Sequence, residues 1–216
     1  MERLICLAIG YVCGLFQTSY IYGRLHGIDI RNYGSGNAGT TNALRTLGKK
    51  AGALTLLGDA LKCVVAVLIV RAIYGQSRPE EVLLLGLYAS AGTILGHNFP
   101  FYLGFKGGKG IAATAGLLFS FDWRLALAAV AVFLVFFFLT HYVSLGSILI
   151  YVVFVGGIIL MGQLGFLEVS PDLLPEMYIL AAALMVMAVY RHRENIKRLL
   201  QGCERKTYLS SKRKEG

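Results

Sequence analysis

Residues 125–167 read LALAAVAVFLVFFFLTHYVSLGSILIYVVFVGGIILMGQLGFL and contain no Asp, Glu, Lys or Arg. A transmembrane α-helix needs about 20 apolar residues, so this stretch is long enough for two crossings. A charge at the bilayer centre costs at least about 2.5 kcal/mol on insertion scales, which favours uncharged runs there. The polar residues HYVS at 141–144 interrupt the run. The stretch therefore predicts two membrane helices, at 125–141 and 145–165.

The composition of the whole chain points the same way. Its 216 residues are 56% hydrophobic and only 15% charged, with a mean hydropathy of +0.63. Soluble domains carry about 25% charged residues, and a chain of this size in water needs a polar surface that these residues cannot provide. The four cysteines show neither CxxC nor zinc-site spacing and are expected to be free thiols. The composition excludes a soluble domain, a disordered chain and a disulfide scaffold.

Five further apolar runs complete the predicted bundle. They lie at residues 4–22, 52–71, 82–96, 110–121 and 174–191. The run 110–121 is short, at about 18 Å if helical. The sequence thus predicts an all-α integral membrane protein with seven transmembrane helices, some of them short or half-length near the polar loops. We expect a single polytopic membrane domain over 1–216 that ends in a basic tail at 192–216.

The distribution of Lys and Arg tests the count of seven. With seven crossings most basic residues fall on the side that holds the tail, whereas with six they divide almost evenly. Because short basic loops stay in the cytoplasm, we predict an external N-terminus and a cytoplasmic C-terminus. The first run resembles a signal peptide loosely, but no small-residue cleavage site is obvious. The net charge of +9 favours membrane lipids as partners, not nucleic acid.

The first polar stretch is GSGNAGTTN at 34–42, followed by Arg45. Such small and amide residues can present several backbone N–H groups to one anion. Thr41 or Asn42 could cap a helix beginning near Ala43, with Arg45 in its first turn. A flexible linker is the structural alternative. The candidate ligands here are Ser35, Gly36, Asn37, Thr41, Asn42 and Arg45.

The second polar stretch contains GHNFP at 96–100 and GFKGGKG at 104–110. It is not a Walker A loop, because three residues instead of four precede the Gly-Lys pair and no Ser or Thr follows it. It is a glycine-rich turn with two lysines at the start of a helix of small residues, which is an anion site on physical grounds. A basic loop with small residues for close packing is the structural alternative. The candidates are His97, Lys106, Gly107, Gly108 and Lys109.

Two shorter polar stretches follow. Ser144 in HYVS is as well suited to cap a helix as to contact a ligand. In YRHRENI at 190–196, His192 and Asn195 are three residues apart and share a helix face. The neighbouring arginines are expected to be snorkelling anchors at the membrane surface. They are Arg191, Arg193 and Arg198.

Asp59 and Lys62 interrupt the apolar run 52–71. They are three residues apart and can pair within the membrane. Intramembrane charges are often functional, but a structural brace fits equally well. Both interpretations stay open from the sequence.

All four polar stretches fall on the same predicted side of the membrane. Their cations are Arg45, Lys109 and Lys106, and acidic residues are scarce there. Such a site suits a multiply anionic ligand, most simply phosphate groups, because charge-assisted hydrogen bonds contribute about 1.5–3 kcal/mol each. The sequence shows no cluster of carboxylates or histidines, so we expect neither a metal nor a cofactor.

Together, the segments GSGNAGTTN, GHNFPFYLGFKGGKG, HYVS and YRHRENIKRLLQG closely resemble those of the bacterial membrane acyl-phosphate:glycerol-3-phosphate acyltransferases, the PlsY family. The resemblance covers essentially the whole chain; Thr40 and the long basic tail depart from it. It implies transfer of a fatty acyl group from acyl phosphate to the 1-hydroxyl of glycerol 3-phosphate, giving lysophosphatidic acid and phosphate. It also implies a place in the bacterial inner membrane, with the active site facing the cytoplasm. The residues expected to be catalytic are Ser35, Asn37, Arg45, Lys109, His192 and Asn195. Those expected to bind substrate are Gly36, Thr41, Asn42, His97, Lys106, Gly107, Gly108 and Ser144.

In this interpretation the stretch 34–42 holds the donor phosphate and the developing oxyanion, while Arg45, Lys109, His192 and Asn195 hold glycerol 3-phosphate. No histidine is followed by Asp at the fifth position, as it is in other acyltransferases. A phosphate oxygen of the donor can accept the hydroxyl proton, and His97 as a general base is the rival mechanism.

The alternative function is a membrane transporter or exchanger of phosphorylated metabolites, since broken helices with glycines and cations also bind anions in carriers. A carrier of that type predicts an inverted repeat, and none is found in the sequence. Seven helices also do not divide into equal halves. Acyl-chain preference and oligomeric state are not predicted.

Overall fold

The computed structural model describes residues 1–208, so Lys212, Arg213 and Lys214 of the predicted tail lie outside it. Within this part the chain forms ten α-helices joined by loops and short 3-10 turns. Their bounds are α1 Glu2–Gly14, α2 Thr18–Leu25, α3 Thr40–Leu47, α4 Lys49–Tyr74, α5 Val82–Asn98, α6 Ile111–Phe121, α7 Trp123–Thr140, α8 Val143–Gln163, α9 Leu174–Arg191 and α10 Arg193–Leu200.

Six stretches of the described chain are long and apolar enough to cross a membrane. They are Glu2–Leu25, Lys49–Tyr74, Val82–Leu103, Trp123–Thr140, Val143–Gln163 and Pro171–Arg191. Helix α6 is apolar but has only 11 residues. The prediction of an all-α, multi-pass membrane protein is therefore confirmed, while a seventh crossing by α6 stays a prediction.

The predicted helix 4–22 lies within one candidate membrane span, Glu2–Leu25, but the chain breaks there between α1 and α2. Gln17 leaves the helical conformation, at φ −102° and ψ 89°. The break frees the carbonyl of Phe16, which accepts a 2.7 Å hydrogen bond from Nζ of Lys62 on α4. Nε2 of the buried Gln17 has two protons and lies 3.1–3.3 Å from three carbonyl oxygens of α1 and α5, which share them. In a continuous helix the backbone carbonyls at this break would accept hydrogen bonds from N–H groups of the same helix. Here they accept instead from polar side chains inside the bundle.

Close helix packing builds the centre of the bundle. A Cβ on Gly10 of α1 would fall 2.7 Å from the carbonyl carbon of Ala89 on α5, so only glycine permits this approach. Helices α5, α6, α8 and α9 share the main apolar core. Its large buried members include Leu87, Ile94, Leu117, Tyr151, Phe154 and Leu184.

Ion pairs join the helices at one end of the bundle. Nε of Arg3 on α1 lies 2.5 Å from Oε1 of Glu176 on α9. Arg78 bonds both Glu2 at 2.7 Å and Glu81 at 2.8 Å. These contacts fix the start of α1 against the starts of α5 and α9.

The loops rich in polar residues meet at the other end. Nη1 of Arg31 donates to the carbonyl of Leu103 at 3.0 Å, which joins the loop before α3 to the loop after α5. Nη2 of Arg191, at the end of α9, donates to the carbonyl of Gly108 at 2.5 Å. Segments far apart in sequence therefore face one another at this loop end.

Candidate active site

The carboxylate of Glu204 lies at the centre of the polar residues at the loop end. Its Oε1 accepts hydrogen bonds from Ser144 Oγ at 3.0 Å and Asn195 Nδ2 at 2.6 Å, and its Oε2 accepts from Arg198 Nε at 2.7 Å. Oδ1 of Asn195 in turn accepts from Nζ of Lys109. The side chain of Glu204 is only 6% exposed. We call this set, together with Arg45 and His192, the loop-end cluster.

Lys109 is a cation held among other cations. Burial lowers its pKa to about 8, and the charges of Arg198, Arg191 and Arg45 act in the same direction against that of Glu204. Arginine keeps its charge at any working pH, so the cluster remains cationic. An incoming phosphate would meet several positive charges and only one carboxylate.

His192 is neutral and oriented in the loop-end cluster. Its Nδ1 lies 2.8 Å from the carbonyl oxygen of Ala188. A carbonyl oxygen can only accept a hydrogen bond, so Nδ1 carries the proton and donates it. Burial lowers the pKa of His192 to about 4, and the neighbouring charge of Lys109 contributes to the same shift. At neutral pH, Nε2 is therefore a hydrogen-bond acceptor suited to a hydroxyl group.

The loop at 34–42 is organised by Asn42. Its Oδ1 accepts from the N–H of Ser35 at 2.9 Å, and its Nδ2 donates to the carbonyls of Tyr33 and Ile30. Gly34 and Gly36 have φ of 61° and 71° and shape this loop. The expected cap at Thr41 or Asn42 is wrong: α3 begins at Thr40 with Gly39 as its N-cap. The side chain of Asn42 thus stabilises the loop through these hydrogen bonds. Ser35 is exposed, and Asn37 and Thr41 are half-buried.

The segment after α10 crosses this loop and binds Arg45. Nη2 of Arg45 donates to Oγ1 of Thr207 and to the carbonyl of Arg205 at 3.1 Å. Nη1 of Arg205 donates to the carbonyl of Gly34 at 3.3 Å. Residues 203–208 therefore connect the loop 34–42 to the loop-end cluster. The sequence analysis predicted only a basic tail here and did not predict this connection.

The turn Gly107–Gly108 is held on both sides. Its N–H groups donate to the carbonyls of Asn98 at 3.2 Å and His97 at 3.1 Å. Its carbonyls accept from Arg191 at 3.2 Å and 2.5 Å. The turn directs Lys109 toward Asn195, whereas Lys106 is exposed.

The structure brings five of the sequence candidates into the loop-end cluster and places His97, Gly107 and Gly108 beside it. The five are Arg45, Lys109, Ser144, His192 and Asn195. Sequence analysis missed Glu204, Thr207 and the role of Arg191, which bonds the glycine turn instead of snorkelling. A lone acid within a run of basic residues was the available signal for Glu204.

Residues 1–208 bring together no group of three or more His, Cys, Asp or Glu that could hold a metal ion.

A model of the glycerol-3-phosphate acyltransferase family matches residues 4–202. The chain belongs to this family. It is 43% identical to a glycerol-3-phosphate acyltransferase of Alkaliphilus metalliredigens, over 95% of this chain and 96% of that one. It is 42% identical to the corresponding protein of Clostridioides difficile, over 94% of each chain.

Solved structures of the family share the fold. The crystal structure of PlsY, an integral membrane glycerol 3-phosphate acyltransferase, in its glycerol 3-phosphate form has a TM-score of 0.80 and 32% identity to this chain, with 96% of each covered. The lysophosphatidic acid form has a TM-score of 0.78 and 31% identity, with 97% of each chain covered. Both structures match nearly the full length of this chain.

We expect Glu204→Gln to release the segment 203–208. The charge-assisted bonds to Glu204 would weaken, lowering the free energy of unfolding by about 1–3 kcal/mol. Thermal unfolding of the purified protein measures the loss, and limited proteolysis after Arg205 or Lys206 reports release of the segment. Glu194→Gln is the matched control, because that carboxylate is 67% exposed and 3.9 Å from Arg193. Equal stability of the two variants would contradict the assignment.

The same contact predicts a pH dependence. Burial would raise the pKa of Glu204, but hydrogen bonds from Asn195, Arg198 and Ser144 outweigh it and hold the pKa below its ordinary value of 4.5. The ionised carboxylate of Glu204 therefore stabilises the bound segment fully above pH 4.5, and this stabilisation is lost as the pH falls through the lowered pKa. Proteolysis of the segment in the wild type should rise in that acidic range.

Proposed function

We propose that this protein transfers a fatty acyl group from acyl phosphate to the 1-hydroxyl of glycerol 3-phosphate, giving lysophosphatidic acid and phosphate. The observation that carries the proposal is the loop-end cluster. Cations and neutral hydrogen-bonding groups from four distant segments meet at one end of an apolar bundle. Membership of the glycerol-3-phosphate acyltransferase family supports the acceptor substrate.

The reaction needs no cofactor to balance. The 1-hydroxyl oxygen attacks the acyl carbonyl carbon, and a new carbon–oxygen ester bond forms. The bond between that carbon and the bridging oxygen of the phosphate breaks, and phosphate leaves. The protein's part is to position the two substrates and to stabilise negative charge on the carbonyl oxygen and the phosphates.

We assign glycerol 3-phosphate to the loop-end cluster. Lys109 and Arg45 would neutralise its phosphate, the second Nδ2 proton of Asn195 would donate a hydrogen bond, and Nε2 of His192 would accept from a glycerol hydroxyl. Ser144 would donate to the substrate by turning its hydroxyl away from Glu204. The donor phosphate would lie on the loop 34–42, beside Ser35 and Asn37. The contact between Arg205 and Gly34 supports this pairing, because it brings the loop next to the cluster.

We further propose that the donor phosphate accepts the hydroxyl proton. His192 is a weak base because burial lowers its pKa to about 4. The carboxylate of Glu204 is occupied by three hydrogen bonds. A phosphate oxygen next to the reacting carbonyl is a better-matched acceptor, since an effective base has a pKa near the working pH.

The proposed topology has seven crossings, with the loop end in the cytoplasm of a bacterial cell and the N-terminus outside. Helix α6 is about 16 Å long. Its first turn adjoins the loop-end cluster, and near its last turn the carbonyl of Ser120 accepts from Arg71, near the end of α4. This path supports α6 as a short crossing between the two ends of the bundle. Exposed apolar side chains around it would give the acyl chain access from the lipid.

The choice of donor tests this proposal. Purified protein is supplied with radiolabelled glycerol 3-phosphate and either palmitoyl phosphate or palmitoyl-CoA, and labelled lysophosphatidic acid is measured. We expect product with the acyl phosphate alone. Product with the CoA ester alone would contradict the donor. Accumulation of unreacted label inside proteoliposomes would favour the transporter.

The lowered pKa of Lys109 predicts a pH profile. Because Lys109 loses its charge above about pH 8, kcat/KM for glycerol 3-phosphate should fall on the alkaline side of that value. In Lys109→Arg the fall should move to higher pH, since a guanidinium stays charged. Steady-state rates between pH 6 and about pH 10 would measure the profile. An unchanged alkaline limb in Lys109→Arg would contradict the assignment.

A further inference from the structure

A buried polar network beneath the glycine turn has no place in the function derived so far. Lys62 on α4 lies beside Asp59 on the same helix and His97 on α5. The three side chains are 5%, 1% and 3% exposed. Thr18 on α2 donates to Oδ1 of Asp59 at 3.0 Å. Buried charges are costly to maintain, so the network needs an explanation.

The ammonium of Lys62 has three protons and three partners. Its Nζ lies 2.7 Å from the carbonyl oxygen of Phe16, 2.9 Å from Oδ1 of Asp59 and 2.8 Å from Nδ1 of His97. The first two atoms can only accept hydrogen bonds. A neutral amine would leave the buried carboxylate of Asp59 without a counter-charge, which is strongly unfavourable. The third ammonium proton is therefore directed at His97.

This contact fixes the protonation of the imidazole. If Nδ1 accepts from Lys62, the ring proton of neutral His97 must lie on Nε2. Nε2 faces the Gly107–Gly108 turn, since a Cβ placed on Gly108 would collide with that atom. The same Cβ would lie 2.7 Å from the carbonyl oxygen of Ala38 in the loop 34–42. The Nε2–H group thus lies where the two glycine-rich segments of the site meet.

We propose that Asp59 and Lys62 lock His97 in the Nε2–H tautomer, so that His97 is a hydrogen-bond donor at this junction and not a general base. Asp59 and Lys62 are then positioning residues that act through His97. Arg191 bonds the same turn from α9, so a third helix contributes to this junction. The part of the inference that concerns turnover rests on the proposed function, whereas the tautomer does not.

Nitrogen-15 NMR of the histidine-labelled protein tests the tautomer directly. The His97 signals are assigned by their loss in His97→Gln, and couplings to the ring protons distinguish Nδ1 from Nε2. We expect a protonated Nε2 and an unprotonated Nδ1 at pH 7. A proton on Nδ1, or an imidazolium, would overturn the proposal whether or not the protein transfers acyl groups.

A double variant tests the cause of the lock. Asp59→Asn with Lys62→Met removes both charges together, so no unpaired buried charge remains to prevent folding. We expect the Nδ1–H form of His97 to become populated. Arg78→Met with Glu81→Gln removes an ion pair at the other end of the bundle and should leave the His97 signals unchanged. An unchanged His97 tautomer in a folded Asp59/Lys62 variant would refute the lock.

The kcat values of His97 variants then distinguish a hydrogen-bond donor from a general base. Glutamine keeps an N–H donor but cannot take up a proton, so kcat of His97→Gln should stay within about tenfold of the wild type. His97→Ala should lose more and still turn over. A general base contributes about 10²–10⁴-fold, so loss on that scale in a folded His97→Gln, with the acidic limb of the kcat profile abolished, would refute the donor role. If the wild type itself forms no product, the proposed function fails while the NMR result still decides the tautomer.

Discussion

Replacing Lys109 by alanine is expected to reduce kcat/KM for glycerol 3-phosphate by about two to three orders of magnitude. Lys109 is the cation that reaches Asn195 inside the loop-end cluster. Removing one preorganised group that stabilises charge in the transition state typically costs about 10²–10³ in rate. Initial rates of lysophosphatidic acid formation at varied glycerol 3-phosphate measure the effect.

Lys197→Ala is the matched control for this prediction. Lys197 lies on α10 only two residues from Asn195, but its side chain is exposed. Screened surface charges contribute little, so its rate should stay within about twofold of the wild type. Equal losses in the two variants would mean that overall charge, and not the position of Lys109, governs the reaction.

Gly108→Ala is expected to inactivate the protein almost as severely. The new Cβ would collide with Nε2 of His97 and would lie 2.7 Å from the carbonyl oxygen of Ala38. Neither neighbour can withdraw freely, because one is main chain and the other is held by Lys62. The turn that directs Lys109 would shift, and a misplacement of about 1 Å can cost about a hundredfold in rate. Activity and the thermal midpoint should both fall.

A glycine in open space serves as the comparison. A Cβ on Gly156 of α8 would have no neighbour within 4 Å outside its own helix. Gly156→Ala should therefore keep full activity, and helix propensity favours alanine there by up to about 1 kcal/mol. If Gly108→Ala retained wild-type kcat and KM, the tight packing of the turn on His97 would be irrelevant to function.

The strongest sequence signals are those that depend on local composition. The uncharged run 125–167 predicts its two helices because charge is excluded from the bilayer centre. The stretches around Arg45, Lys109, Ser144 and His192 are each visible as polar interruptions. Helices that alternate in direction place such interruptions at one end, and the structure brings these four residues together there.

The features that sequence analysis missed depend on contacts between distant segments. The break between α1 and α2 places the Phe16 carbonyl next to Lys62, 46 residues later. The bond between Arg45 and Thr207 spans 162 residues. Arg191 follows the last apolar run and is predicted to be a surface anchor, but it bonds the glycine turn 83 and 84 residues earlier. No local pattern marks such partners, so only the folded chain identifies them.

The most direct test of the central proposal is phosphate release by the purified protein in a lipid mesophase. Palmitoyl phosphate is supplied with and without glycerol 3-phosphate, and lysophosphatidic acid is quantified in parallel. We predict release that requires both substrates, matches the lysophosphatidic acid formed and is lost in Lys109→Ala and Arg45→Ala. A folded wild-type sample that releases no phosphate from the complete mixture would contradict the assignment as an acyl-phosphate-dependent acyltransferase.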